Sequence, residues 1–277
     1  MPNVVQTSPD DILVGDARAG KLVRFGADME FRGTALVASL FPTLAAKFAR
    51  IDPMGITPDG TPIGVARDQD SVRWYVGDSA APLVSIPAGG GTGRARIADG
   101  MLTFVQPFRE DPIIIADPGR EVILKLDRGS DSLYLEIRST TDESSNVRHA
   151  ISSESRPIPA EVVSARIDSF AAYYQGRGIP MDEVRSSIRA AMHVPERSHG
   201  VAGIFVSGDS LVAITHEGQG SERSVARVFR YSTGEAVGEF EIPPRSRLVS
   251  FSRGHVWLLQ RDQHDVEYLV KRTISMR

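Results

Sequence analysis

Short runs in which apolar side chains alternate with polar ones recur along the whole chain, separated by acidic or glycine-bearing turns. The clearest is residues 113–137, IIIADPGREVILKLDRGSDSLYLEI. Ile113, Ile114 and Ile115 are β-branched and stiff at χ1, which suits a pleated strand. Asp117, Pro118 and Gly119 favour a turn through side-chain hydrogen bonding, a fixed φ and tolerance of positive φ, respectively. Val122, Leu124 and Leu126, then Leu133, Leu135 and Ile137, fall at a spacing of two, the period of a half-buried antiparallel strand. The stretch therefore predicts strand, turn, strand, turn, strand.

Similar units flank it. The first has strands at 12–14, 21–25 (KLVRF) and 31–37. The second opens at 44–51 and centres on 62–66 and 71–76 (SVRWYV). The third is the stretch above, preceded by 101–105. A fourth runs from Val201 through 211–215, 224–231 (SVARVFRY) and 236–242. The last has 248–251, 256–260 (VWLLQ) and 268–274. An acidic residue marks one turn of each unit: Asp16, Asp68, Asp117, Glu217 and Asp262. Successive gaps are 52, 49, 100 and 45 residues. A repeat of about 40–50 residues with four strands each is the signature of a β-propeller. Four units are clear and the fifth has only three strands. The N-terminus is expected to supply the missing outer strand, with Val4 and Val5 as candidates, because an unclosed ring leaves strand edges exposed.

The doubled gap marks an insertion, residues 139–198, within a single domain spanning 1–277. It opens with a polar tract, STTDESSN. Two helices are then predicted. Val163, Ile167, Phe170 and Tyr174 share one face, after Pro159. Val184, Ile188 and Ala191 share another, with Asp182 and Glu183 in the first turn where the helix dipole favours them. The expectation is a helical hairpin lying across one mouth of the β domain.

Composition narrows the function classes. The chain has 277 residues, 41% hydrophobic, with net charge -3 and no cysteine. Disulfides and thiol chemistry are excluded, and a broad nucleic-acid footprint is not expected without clustered Lys and Arg. No apolar run reaches the roughly 18–20 residues of a membrane span. The start, MPNVVQTSPDD, lacks the basic and apolar segments of a signal peptide.

The C-terminal third, STGEAVGEFEIPPRSRLVSFSRGHVWLLQRDQHDVEYLVKRTI, resembles the end of a group of bacterial six-bladed β-propellers related to NHL-type and TolB-like propellers. The matching features are Gly238 to Pro243, Leu248, and the acidic hairpin with Asp262, Asp265, Val266 and Glu267. ILVGDARAGKLVRF (Ile12 to Phe25) is similar to that group's strand–Asp turn–strand core, and RPIPAE (Arg156 to Glu161) to the start of its helical insertion. The resemblance implies a six-bladed ring, of which four to five blades are visible here, and a periplasmic or cell-envelope location. It implies no single activity.

Five acids at equivalent turns would surround one channel mouth, where carboxylates can hold Ca²⁺ or Mg²⁺. The alternative is that each acid satisfies backbone N–H groups of its own turn; on that account there is no cofactor. His216 and His264, beside Glu217 and Asp265, are candidates for a ligand face, or for His–carboxylate acid–base chemistry; as loop histidines they need no role. Residues 88–94, AGGGTGR, lack the G-K-[ST] ending of a phosphate loop and read as a connection between blades. Trp74, Tyr75, Trp257 and Tyr268 on predicted strands read as packing between blades, or as a sugar or peptide platform. No serine nucleophile elbow occurs. The leading expectation is a monomeric, non-enzymatic propeller that binds a protein, peptide or glycan. The alternative is a metal-dependent, lactonase-like hydrolase.

Overall fold

The structure, a computed structural model, describes residues 3–274 apart from 9–10, 17–18, 27, 69, 88–90, 99, 109–110, 129–131, 154, 177, 209, 217–223 and 253. It is an all-β propeller with five blade sheets and a helical insertion. The five blades match the five units of the repeat; the six-bladed ring was implied by the resemblance alone. The chain divides into two compact units. The first is Met1–Gly89, Ile114–Leu124 and Glu136–Val147; the second is Gly90–Ile113, Lys125–Leu135 and Arg148–Arg277.

In the first unit, β1 (Asn3–Ser8), β2 (Asp11–Asp16), β3 (Lys21–Gly26) and β4 (Phe31–Leu36) form the first blade sheet, each strand pairing with the next. Val4 and Val5 pair with Val14 and Leu13. The N-terminal strand is thus the first strand of this sheet, not the outer strand of the last one. Two short helices, α1 (Val37–Leu40) and α2 (Pro42–Ala45), replace the strand expected to open the second unit. Pro42 suits a first helical position, and Asp78 caps α2 by accepting from the Thr43 N–H at 2.8 Å and the Leu44 N–H at 3.1 Å.

The second blade sheet is β5 (Ile51–Ile56), β6 (Pro62–Arg67), β7 (Ser71–Val76) and β8 (Val84–Pro87). Phe41 and Leu44 are fully buried beside Ile51, Ala66 and Tyr75. Gly64 lets β6 lie directly on the Phe41 ring, since a Cβ there would sit 2.7 Å from Phe41 Cζ. On another face of the sheet, Ile63, Val65, Trp74 and Val84 pack with Ile123.

In the second unit, β9 (Thr92–Ile97) and β10 (Gly100–Val105) form a two-stranded ribbon of their own. Residues 101–105 therefore do not lead into the third blade, and 92–94 are strand, not a blade connection. The third blade sheet, whose residues are divided between the two units, is β11 (Ile113–Asp117), β12 (Val122–Arg128), β13 (Leu133–Ser139) and β14 (Val147–Ile151). Its fourth strand lies inside the stretch read as insertion.

A two-residue pairing of β15 (Arg156–Pro157) with β16 (Arg197–Ser198) closes the base of the helical hairpin, α3 (Ala160–Ala171) and α4 (Met181–Ala191). The apolar faces expected of the helices are the ones buried. Ile167, Val184 and Ile188 pack against Ala95, Ile97 and Phe104 of the ribbon. Phe104 and Phe170 rings meet at 4.9 Å. Arg185 joins the helices through Asp168 at 2.7 Å.

The fourth blade sheet is β17 (Val201–Ser207), β18 (Leu211–His216), β19 (Ser224–Arg230) and β20 (Glu235–Ile242). The fifth is β21 (Ser246–Ser252), β22 (His255–Arg261) and β23 (Glu267–Thr273). One core joins them, with Ala213, Ala226 and Val228 against Leu248, Phe251, Val256 and Leu258.

Gln106 ties the ribbon to the end of α4. Its amide donates to the Ala191 carbonyl at 3.0 Å and accepts from the His193 N–H at 2.9 Å. The side chain is buried, so cutting it back strands two backbone groups that a helix end cannot satisfy internally. Gln106→Ala should cost about 1–3 kcal/mol in urea unfolding. It should also speed amide exchange at His193 more than at β-sheet amides of the first unit. Unchanged exchange at His193 would rule out this tie.

Candidate ligand-binding site

The ribbon shows two chemically distinct faces because a strand alternates. Gly93, Ala95 and Ile97 of β9, with Phe104 of β10, turn inward to the helices. Thr92, Arg94 and Arg96 turn outward. Their cross-strand partners are Val105, Thr103 and Met101, so those six share the outer face. Met101 is 59% exposed and Val105 57%. Arg94 and Arg96 are exposed, and no ion pair joins either among the described residues.

The inner face of the ribbon is filled tightly by its own second strand. A Cβ on Gly93 would sit 2.7 Å from Phe104 Cε2 and 2.8 Å from Gln106 Nε2. The ribbon is a two-stranded platform carrying two cations that no ion pair compensates among the described residues, between apolar side chains. The cations attract carboxylates, and Met101 and Val105 offer apolar contact to whatever carries them.

The acidic turns are arranged differently from a ring of five. Asp16, Asp68 and Asp262 lie between the second and third strands of their sheets. Asp117 lies between the first and second strands of its sheet. Successive turns of an antiparallel sheet fall at opposite ends, so Asp117 is at the other end from the equivalent turn. Glu217 lies outside the described residues.

Each described acid is engaged in its own turn. Asp16 accepts from the Ala19 N–H at 3.0 Å. Asp68 accepts from the Asp70 and Ser71 N–H groups at 2.9 and 2.7 Å and pairs with Arg73 at 3.1 Å. The Asp70 N–H, aided by Ser71 and Arg73, holds the Asp68 carboxyl below the usual carboxylate range. Asp117 lies 3.9 Å from Arg120 Nε. Asp262 accepts from the His264 and Val266 N–H groups at 2.8 and 3.0 Å and from the Tyr268 hydroxyl at 3.2 Å. Partial desolvation alone would raise its pKa, but these donors, with Arg245, hold the carboxyl low. Among the described residues no group of three or more His, Asp or Glu is placed to hold a metal ion.

The two candidate histidines differ. His264 is exposed, beside Gln263 at 3.2 Å, and Asp265 pairs with Arg245 at 2.8 Å. His216 is mostly buried at the end of β18. Its Nδ1 lies 2.9 Å from the His199 carbonyl; a carbonyl only accepts, so Nδ1 carries the hydrogen and Nε2 is the lone-pair nitrogen. Nε2 is buried with no hydrogen-bond partner among the described residues. Burial pushes the imidazole pKa down, Arg227 and His199 push it further, and only the His199 carbonyl opposes them. Arg227 itself faces Glu239 at 3.7 Å across a shallow cavity of about 410 Å³, lined also by Ser152, Phe229 and Val237. That pair neutralises the cavity's charge, so it lacks the ribbon's net attraction for a ligand.

Of the strand aromatics, Trp74 and Tyr75 are buried, as packing side chains are. Trp257 and Tyr268 are 39% and 51% exposed. Reading residues 88–94 as a connection hid Arg94 and Arg96. The signal for them was alternation: Arg94 and Arg96 interleave with Gly93, Ala95 and Ile97.

No family model and no curated protein sequence matches the chain. Among solved structures it is similar to Kuenenia stuttgartiensis hydrazine synthase, at 12% identity and a TM-score of 0.41, covering 94% of this chain and 56% of that one. It is also similar to the Cps50 (Swd1) β-propeller domain of Myceliophteria thermophila, at 10% identity and a TM-score of 0.32, covering 99% and 76%. A third is an uncharacterized protein of Listeria monocytogenes EGD-e, at 9% identity and a TM-score of 0.32, covering 100% and 84%. The chain thus spans 56% of the length of the hydrazine synthase chain. Likeness of this extent bears on no functional question.

His216 makes stability depend on pH with a definite sign. Its folded pKa is lowered, so the unfolded chain binds the proton more tightly. Stability is full above the ordinary histidine pKa of about 6.5 and falls as pH drops through it. Acidifying from pH 7.5 to 5 should therefore lower the melting temperature less in His216→Gln than in the wild type. Equal drops would show that His216 does not titrate with unfolding.

Proposed function

We propose that this chain is a non-enzymatic β-propeller binding module whose ligand is an acidic, partly apolar peptide segment of a partner protein. The outer face of the β9–β10 ribbon is the contact surface. One observation carries this reading: Arg94 and Arg96 stand exposed without ion pairs among the described residues, flanked by exposed Met101 and Val105. Surface guanidinium groups of a folded domain are commonly paired with nearby acids; two adjacent unpaired ones invite carboxylates from outside. The helices behind the ribbon hold it rigid, which lowers the ordering cost of binding. The platform carries no aromatic side chain of the kind that stacks on sugars, which favours a peptide over a glycan.

Metal-dependent hydrolysis has less behind it, because each described turn acid is spent within its own turn.

The test is fluorescence polarisation with labelled peptides containing Asp or Glu at alternate positions interleaved with Leu or Val. Binding is expected to weaken steeply with salt, and Arg94→Glu/Arg96→Glu should reduce affinity at least about tenfold, a like-charge penalty of about 1.4 kcal/mol or more. Met101→Ser/Val105→Ser should weaken binding without changing the salt slope. Peptides that do not bind, or bind the double Glu variant equally, would overturn the reading.

A further inference from the structure

Among the described residues the fifth blade sheet ends in an edge that no strand covers. Each of the other four blade sheets has four strands, and this one has three, with β23 outermost. Among the described residues no strand pairs with the far side of β23. Its backbone polarity can be assigned residue by residue. The Ile274 N–H donates to the Gly254 carbonyl at 2.9 Å and the Val266 carbonyl accepts from the Asp262 N–H at 3.0 Å, both on the β22 side. Backbone direction alternates along a strand, so even-numbered residues face β22. Glu267, Leu269, Lys271 and Thr273 therefore turn their N–H and C=O groups to the open edge.

The side chains of those odd-numbered residues lie on one sheet face. Their cross-strand partners are Arg261, Leu259, Trp257 and His255. The opposite face carries Val256 and Leu258, which pack into the core shared with the fourth sheet, and half-buried Val270. The odd face is open: Leu269 is 59% exposed and Trp257 39%. Lys271 Nζ stands 5.8 Å over the Trp257 ring, and Glu267 pairs with Arg261 at 2.8 Å. Both pairs are exposed, so neither holds its charge out of reach of a partner.

We propose that β23 pairs antiparallel with β23 of a second copy of this chain, about a two-fold axis at Leu269. In that register Leu269 meets Leu269 of the other copy, and Glu267 of each copy meets Lys271 of the other. All three pairs are edge-facing residues, so each exchanges two backbone hydrogen bonds. The Glu–Lys contacts occur twice by symmetry, as an isologous interface requires. A twofold shifted to Val270 would set Leu269 against Lys271 and Glu267 against Thr273, with no opposite charges in register. Lysine on an open edge commonly discourages strand pairing. Here the acid two positions before Leu269 and the base two after it convert that deterrent into a code for one partner. The monomer expected from sequence reflected no view of this edge, since nothing in EYLVKRT says which side of the strand is covered.

The seam is one short strand, small beside the roughly 1,200 Å² buried by standard stable interfaces, so the dimer should dissociate on dilution. Sedimentation velocity of the full chain over a concentration series tests this. The wild type is expected to shift from dimer to monomer on dilution. Glu267→Lys and Lys271→Glu should each raise the dissociation constant at least about tenfold, because each sets like charges opposite one another. An equimolar mixture of the two variants should associate again as a heterodimer, as should the double swap with itself. Leu269→Pro should abolish association while leaving the melting temperature near that of the wild type, since the N–H it removes faces the open edge. A wild type that stays monomeric at millimolar concentration, or charge variants that associate like the wild type, would overturn the proposal. So would a mixture of Glu267→Lys and Lys271→Glu that stays monomeric.

Discussion

Alternation at a period of two is the constraint on which this molecule depends. Every sheet must bury one row of alternate side chains, and the turns between strands must satisfy the backbone groups they leave unpaired. In the fourth and fifth sheets, Ala213, Ala226 and Val228 meet Leu248, Val256 and Leu258 because register and alternation place them on facing rows. The turn acids serve the same end. Asp68 and Asp262 each take at least two backbone N–H groups, which fixes the hairpins that set the register of the strands on either side. Carboxylates so committed have little capacity left for a metal ion.

The ribbon and helical hairpin obey a different rule. A two-stranded ribbon is marginal alone because it cannot bury a face. Here the helices provide that face, and Phe104, Ile167, Val184 and Ile188 form a core separate from those of the blades. Once one side of the ribbon is committed to the helices, the alternation that buries Ala95 and Ile97 necessarily presents Arg94 and Arg96 outward. The proposed contact surface is thus a by-product of packing on the opposite face.

Much of this was legible along the chain. The strands of the fourth and fifth blades, three of the four strands of the first, and both helices of the hairpin with their apolar faces follow from periodicity and turn chemistry alone. The errors cluster where local signals are shared by different structures. Residues 101–105 read equally as a blade strand or half of a ribbon, because pairing partners leave no mark within a strand. Asp117 carries the same turn chemistry as Asp68, yet sits at a first-to-second turn, because an extra strand before or after a hairpin does not change its residues. Val4 and Val5 are β-branched and suit any edge; only register with Val14 and Leu13 shows which sheet they join.

The amino-acid sequence by itself determined most of the strands, the two helices of the hairpin and which side of each is apolar, since these rest on interactions within a few residues. The tertiary structure alone decided that a ribbon backs onto the helices, which sheet the N-terminal strand joins, and that β23 has a strand on one side only among the described residues. Those outcomes depend on contacts between segments far apart in the chain, where the free energy of burial is the same for many pairings until geometry selects one.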